Sequence, residues 1–97
     1  MPTYERLVRF RRDFASLTPR QQAAFIVAAS QFVDDLRAGK SFRKALRVKG
    51  VQGARGIFEM TWAHDGRATF QYGEPVRDNE VHIIWRRVGT HAVLNEP

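Results

Sequence analysis

The chain has 97 residues, of which 43% are hydrophobic, with 16 Lys and Arg against 10 Asp and Glu and no cysteine. This length allows one domain, residues 1–97, able to bury ~65% of its unfolded surface, and the apolar share excludes a disordered tail. The lack of cysteine excludes disulfides and thiolate metal sites and makes a reducing cytoplasm the expected compartment, while the net charge of +6 points to a polyanion or an acidic protein as partner.

No apolar run reaches the ~20 residues of a membrane span, and no secretory apolar region precedes a small-residue cleavage site, so no membrane association is expected. Thr3 suits the cap of a first helix, predicted near residues 4–16. There Tyr4, Leu7, Phe10, Phe14 and Leu17 recur at spacings of three and four, with Arg6, Arg9, Arg12 and Asp13 on the other side. Thr18 is a good N-cap, Pro19 suits the first helical position and Gln21 completes a capping box, so a second helix is expected over 19–38. Its stripe is Phe25, Ala29, Phe32 and Leu36, thickened by Ala28 and Val33, and Gly39 is a natural C-cap.

Between Asp35 and Glu59 there is no acidic residue, and Arg37, Lys40, Arg43, Lys44, Arg47, Lys49 and Arg55 fill the window. Leu46 and Val48 predict a brief extended segment at 45–49, and Gly50, Gly53 and Gly56 loosen the backbone after it. Three strands follow. In 57–62, Phe58, Met60 and Trp62 alternate with Ile57, Glu59 and Thr61. Ala63-His64-Asp65-Gly66 supplies a turn, with Gly66 expected to accept positive φ. In 67–72, Ala68, Phe70 and Tyr72 alternate with Arg67, Thr69 and Gln71, and a turn-rich connection leads to a last strand at 81–88. The order predicts an α+β fold, a helical hairpin packed on a small, mostly antiparallel sheet whose aromatic side carries Phe58, Met60, Phe70 and Tyr72.

The basic window reads either as a phosphate-binding strip, with Arg43, Lys44, Arg47, Lys49 and Arg55 as RNA contacts, or as a solvated connection. His64 falls in the turn and His82 opens the last strand. His91 follows Arg86-Arg87-Val88-Gly89-Thr90, where Gly89 is expected to turn the chain and present the imidazole near two guanidinium groups. Each of these residues, like Arg67 and Asp65, has a bland reading as a surface or turn residue. Together they meet another need. RNA is cleaved without a metal when its own 2′-OH attacks the adjacent phosphate, and a catalyst must then hold the phosphate, stabilise its growing charge and move two protons. Arginine and lysine suit the first tasks and histidine or aspartate the last. No paired-histidine spacing or acidic cluster suggests a metal, and no cofactor is expected.

The succession LRVKG, GIFEMTW, DGRATFQYG and HIIWRRVGTHAVL, over roughly Leu46 to Leu94, resembles the RelE/ParE superfamily of bacterial toxins from type II toxin–antitoxin systems. The hydrophobic run ending in R-x-G-T-H is nearest to the YafQ-like branch. The resemblance implies a RelE-like fold, ribosome-dependent mRNA cleavage and a cognate antitoxin as partner. It implies a catalytic role for His91 and a part for Asp65, with Arg47, Lys49 and Arg67 as the basic set, and the arginine-rich exit of the last strand adds the expectation that Arg86 or Arg87 holds the phosphate with Arg67. Two departures stand out. Members usually begin with a strand, whereas residues 3–17 read as helix, so the sheet is expected to lack that strand; and Thr61 stands where YafQ-like toxins carry a histidine. Another branch poisons DNA gyrase without cutting RNA. His91 and Arg67 favour the nuclease branch over that protein-binding toxin, or over a nucleic-acid-binding module without chemistry.

Overall fold

The computed structural model describes residues 2–97. Its elements are β1 (Thr3–Arg6), α1 (Val8–Ser16), α2 (Pro19–Ala38), a short 3₁₀ turn at Lys44–Leu46, β2 (Lys49–Gly50), β3 (Phe58–Thr61), β4 (Gly66–Gly73), β5 (His82–Thr90) and a second 3₁₀ turn at His91–Asn95. The five strands form one sheet in the order β1-β5-β4-β3-β2, antiparallel except for the β1–β5 pair. This is the expected α+β arrangement, with both helices N-terminal to the antiparallel strands.

The second helix follows its local signals. The Thr18 hydroxyl accepts a hydrogen bond from the Gln21 main-chain N–H and the Gln21 side-chain oxygen accepts one from the Thr18 N–H, while Gly39 closes the helix at φ +66°. Beyond the cap, Asp35 accepts from the Arg43 amide and, through both carboxylate oxygens, from its guanidinium. That fork folds residues 40–43 back along the helix and seats Phe42 flat on Phe32, ring centroids 4.7 Å apart.

The chain start differs from expectation. Residues 3–6 are a strand, and the helix begins only at Val8, with Leu7 rather than Thr3 at its cap. The apolar spacing of Tyr4 and Leu7 reads as helical, yet β5 offers an unpaired edge whose N–H and C=O groups need partners. Thr3 to Arg6 pair with His82 to Trp85 in register. Tyr4 is consequently exposed rather than part of a buried stripe. His82 joins the two strands: its Nδ1 lies 2.7 Å from Thr3 Oγ1 and its Nε2 2.9 Å from Glu5 Oε1.

Trp85 lies at the centre of the core. Its ring centroid is 6.0 Å from Phe10, 5.5 Å from Phe25, 5.3 Å from Phe32 and 5.6 Å from Phe70, so one β5 side chain ties both helices to the sheet. Aromatic pairs of this kind contribute about 0.5–1.5 kcal/mol each beyond area burial. Met60, Ala68 and Val88 complete the layer. Tyr72, expected in this core, sits at its margin and is half exposed.

Three smaller expectations change. Residues 44–46 turn as 3₁₀ before a two-residue strand, because Arg47 takes a left-handed φ of 47° that breaks an extended run. Gly66 does not adopt positive φ; it is buried within β4 because the Trp62 ring covers it, and a Cβ there would come within 2.6 Å of that ring. Gly89 lies inside β5, which continues to Thr90, and the turn comes after it. Its hydrogen makes room for Val93, whose Cγ1 would stand 2.9 Å from an added Cβ.

Candidate functional site

The β3–β4 turn brings its residues against α2 and the first 3₁₀ turn. Between them opens a cleft of about 350 Å³ lined by Val27 and Gln31 of α2, by Leu46 and Arg47, and by Thr61, Trp62, His64 and Arg67. Arg67 leaves the second residue of β4, opposite Thr61 in β3 and Gly89 in β5. Its Nη1 donates to the Gly66 carbonyl at 2.9 Å and reaches the His64 and Ala63 carbonyls at 3.3 and 3.4 Å, and its Nε faces Glu59 Oε1 at 4.0 Å. The guanidinium is held by the turn on one side and a buried carboxylate on the other. Among the described residues nothing is hydrogen-bonded to its Nη2, the donor left for a ligand.

Arg47 reaches the same cleft because its left-handed backbone turns it out of the 3₁₀ helix. Arg67, held by the turn, the exposed Arg47 and His64 therefore line one concave surface. Trp62 forms its floor, edge-on to Phe25, and its Nε1 is buried without a hydrogen-bond partner among the described residues.

His91 does not line this cleft. It opens the 3₁₀ turn directly after Thr90, whose Oγ1 accepts from the Ala92 amide, and it is exposed. The register pairs Thr90 with Gly66, so His91 and the exposed Asp65 emerge at the same end of β4 and β5, beside the strand that carries Arg67.

The two arginines expected beside His91 hold other partners. Arg86 sits where β5 bulges against β4; its Nε donates to the Pro97 main-chain oxygen at 3.0 Å and its Nη1 to Gln71. Arg87 grips Asp13 of α1 with Nε and Nη2 at 2.6 and 3.1 Å, and this hydrogen-bonded carboxylate raises the arginine's already high pKa. Its Nη1 donates to the Glu96 carbonyl.

The predicted RNA contacts divide likewise. Arg43 is the latch on Asp35, and its hydrogen bonds hold that carboxyl below the usual range. Lys44, Lys49 and Arg55 are exposed and do not line the cleft, and Gly53 and Gly56 at φ +80° shape the loop between β2 and β3. Sequence reasoning did not single out Gln31, Glu59 or Asp13 as part of a site. Only Glu59 left a trace, as a carboxylate in the middle of an alternating strand. Among the described residues no cluster of His, Asp and Glu is placed to hold a metal ion, and no helix is long and apolar enough to cross a membrane.

A larger, mostly apolar groove of about 600 Å³ runs between α2 and the β1–α1 segment, where Tyr4, Phe14, Ile26 and Val33 meet. Its lining holds no histidine, and its cations are Arg6 and Arg37 rather than Arg47 and Arg67.

With this geometry, solved structures offer a comparison. The Escherichia coli YafQ–DinJ toxin–antitoxin complex contains a chain that aligns over 96% of this one and 96% of its own length, with a TM-score of 0.67 at 16% identity. This chain has the fold of the YafQ and RelE toxins. The RelB–RelE antitoxin–toxin complex of Methanococcus jannaschii aligns over 94% of each chain with a TM-score of 0.59 at 13% identity. A RelBE toxin–antitoxin complex of Mycobacterium tuberculosis aligns over 93% of this chain and 99% of its own, with a TM-score of 0.52 at 23% identity. No protein-family model and no curated protein matches the sequence. The N-terminal strand that the residues alone did not suggest is part of this YafQ-like fold, and the R-x-G-T-H run spans the end of its β5 and the first residue of the 3₁₀ turn that follows.

Proposed function

We propose that this protein is the toxin of a type II toxin–antitoxin pair, an endoribonuclease that cuts mRNA at the ribosome without a metal and is neutralised by a cognate antitoxin. The observation that carries this reading is the cleft in which Arg47, Arg67 and His64 converge, next to the strand end bearing His91. The likeness to toxins solved with their antitoxins supports the biological role.

In this mechanism a phosphodiester sits against Arg67 Nη2 and Arg47. A base takes the 2′-OH proton as the 2′-oxygen bonds to phosphorus, and an acid protonates the 5′-oxygen as its bond to phosphorus breaks. The products are a 2′,3′-cyclic phosphate and a 5′-OH. His91 serves as one proton carrier; His64 and Asp65, at the turn, are the candidates for the other. The arginines stabilise charge that grows on the non-bridging oxygens, where preorganised donors act most strongly. Arg86 and Arg87, already engaged, are left to hold the strand end in place.

The test is His91→Ala, assayed for growth arrest and for mRNA cleavage with and without the neighbouring antitoxin. Loss of the His91 proton carrier is expected to lower cleavage ~10²–10⁴-fold with antitoxin binding and Tm nearly unchanged, and Arg67→Ala to lower cleavage ~10²–10³-fold. Full toxicity of His91→Ala would remove the nuclease reading. It would favour a toxin that acts by binding a protein target, to which Thr61, occupying the place of a histidine in YafQ-like toxins, lends some weight.

A further inference from the structure

The C-terminal segment is bound to the sheet more extensively than its lack of regular structure suggests. Val93 is buried against Gly89. The Pro97 main-chain oxygen accepts from Arg86 Nε and from Thr69 Oγ1, and the Glu96 carboxylate meets Arg9 of α1 at 3.1 Å. Arg87 joins these contacts. Its Nη1 holds the Glu96 carbonyl while Nε and Nη2 grip Asp13, and a further bond from the Val88 amide to Asp13 Oδ2, at 3.2 Å, fixes that carboxylate to β5. Here β1 has already ended at Arg6, so Asp13 provides the acceptor that a neighbouring strand would otherwise supply to the Val88 N–H.

We propose that Asp13 is a positioning residue for His91: through Arg87 it clasps the C-terminal segment onto β5 and so fixes where the imidazole stands relative to the Arg67 cleft. Among the described residues the His91 side chain makes no hydrogen bond or ion pair. It is exposed, and the segment that follows it is held by the Thr90 cap at one end and, at the other, by the Arg87–Asp13 clasp together with the bonds to Pro97 and the Arg9–Glu96 pair. A bidentate guanidinium–carboxylate pair suits this task because it constrains orientation as well as distance. Arg87 is on this account a strut rather than a phosphate ligand; three of its N–H groups are engaged, and only about a fifth of its side chain is accessible, 18%.

The inference rests on the ribonuclease reading for its activity arm alone. The test compares wild type, Asp13→Asn, Asp13→Glu, Arg87→Ala and the Asp13→Asn/Arg87→Ala double variant of the full chain. Three quantities are measured: amide hydrogen exchange and the His91 imidazole resonance, both by NMR, and cleavage of ribosome-bound mRNA. Asp13→Asn is expected to speed exchange at residues 92–96 ~10-fold or more, as local opening becomes easier. It should move the His91 resonance and lower kcat up to ~10²-fold, the scale of a 1 Å misplacement, with KM changed less than about two-fold. Asp13→Glu, which can rebuild the fork, should recover part of each loss, and the double variant should be no worse than Arg87→Ala alone. Exchange and kcat within about two-fold of wild type in Asp13→Asn would overturn the clasp. So would an Arg87→Ala protein that raises KM while leaving exchange unchanged, which would make Arg87 a substrate ligand. If wild type cleaves no RNA, the ribonuclease reading fails by itself, and the exchange and imidazole measurements still decide the clasp.

Discussion

The two faces of the sheet are held in different ways. On the helix-covered face, Phe10, Phe25, Phe32, Met60, Phe70 and Trp85 are closed from solvent and meet through rings and methylenes alone. On the opposite face Arg86 donates to Gln71 and, with Thr69, to the main-chain oxygen of Pro97, while Val93 is buried in the segment that covers them. The first face is non-directional and supplies folding energy. The second contributes less, because each hydrogen bond replaces one to water, but it is directional, and direction is what a site needs. The candidate cleft and His91 lie where the two faces meet at one end of β4 and β5.

If this division is right, damage to the two faces should have different signatures. The largest effect belongs to the apolar face. Phe32→Ala removes a fully buried ring stacked on Phe42 and packed on Trp85 and should cost about 3–5 kcal/mol, as read by urea unfolding. A loss under about 1 kcal/mol would mean the core is not centred where these contacts place it.

The basic rim comes next. Arg47→Ala with Lys49→Ala should weaken RNA binding uniformly across sequences and flatten the slope of log K against log salt by about one per lost phosphate contact. An unchanged slope moves the phosphate path away from this rim. Within the polar face, Thr69→Val keeps the shape but removes the donor to the Pro97 oxygen. It should cost about 1 kcal/mol in unfolding experiments while perturbing the C-terminal segment more than the core in hydrogen exchange. Equal perturbation of both would erase the distinction between the faces.

The smallest effect concerns acid stability. Arg43 holds the Asp35 carboxyl below its usual pKa, so this contribution is present above the unfolded value and is lost as pH falls through the folded one. Asp35→Asn should therefore reduce stability slightly near neutrality, and its difference from wild type should shrink once pH drops below ~3.9. A difference that grows toward acid would contradict the fork.

Much of the fold follows from signals that act within a few residues. The Thr18–Gln21 box and Gly39 delimit α2, and the alternation of 58–61 and 67–72 sets which residues face the helices. The chain pattern also identified Phe25, Phe32 and Phe70 as core. These readings succeed because caps, turns and amphipathic periods are satisfied by neighbours in sequence.

Tertiary structure alone decided the rest. Residues 3–6 are a strand because β5, 79 positions further on in the Thr3–His82 contact, has an edge to fill. Arg87 faces Asp13 across 74 positions, so the guanidinium that the motif presents beside His91 is turned instead to hold the chain end. Arg67 and Arg47 share a cleft only because the β3–β4 turn folds against α2. An ionic or edge-strand group takes whichever partner the assembled fold brings within about 3 Å, and that partner leaves no mark in the residues beside it.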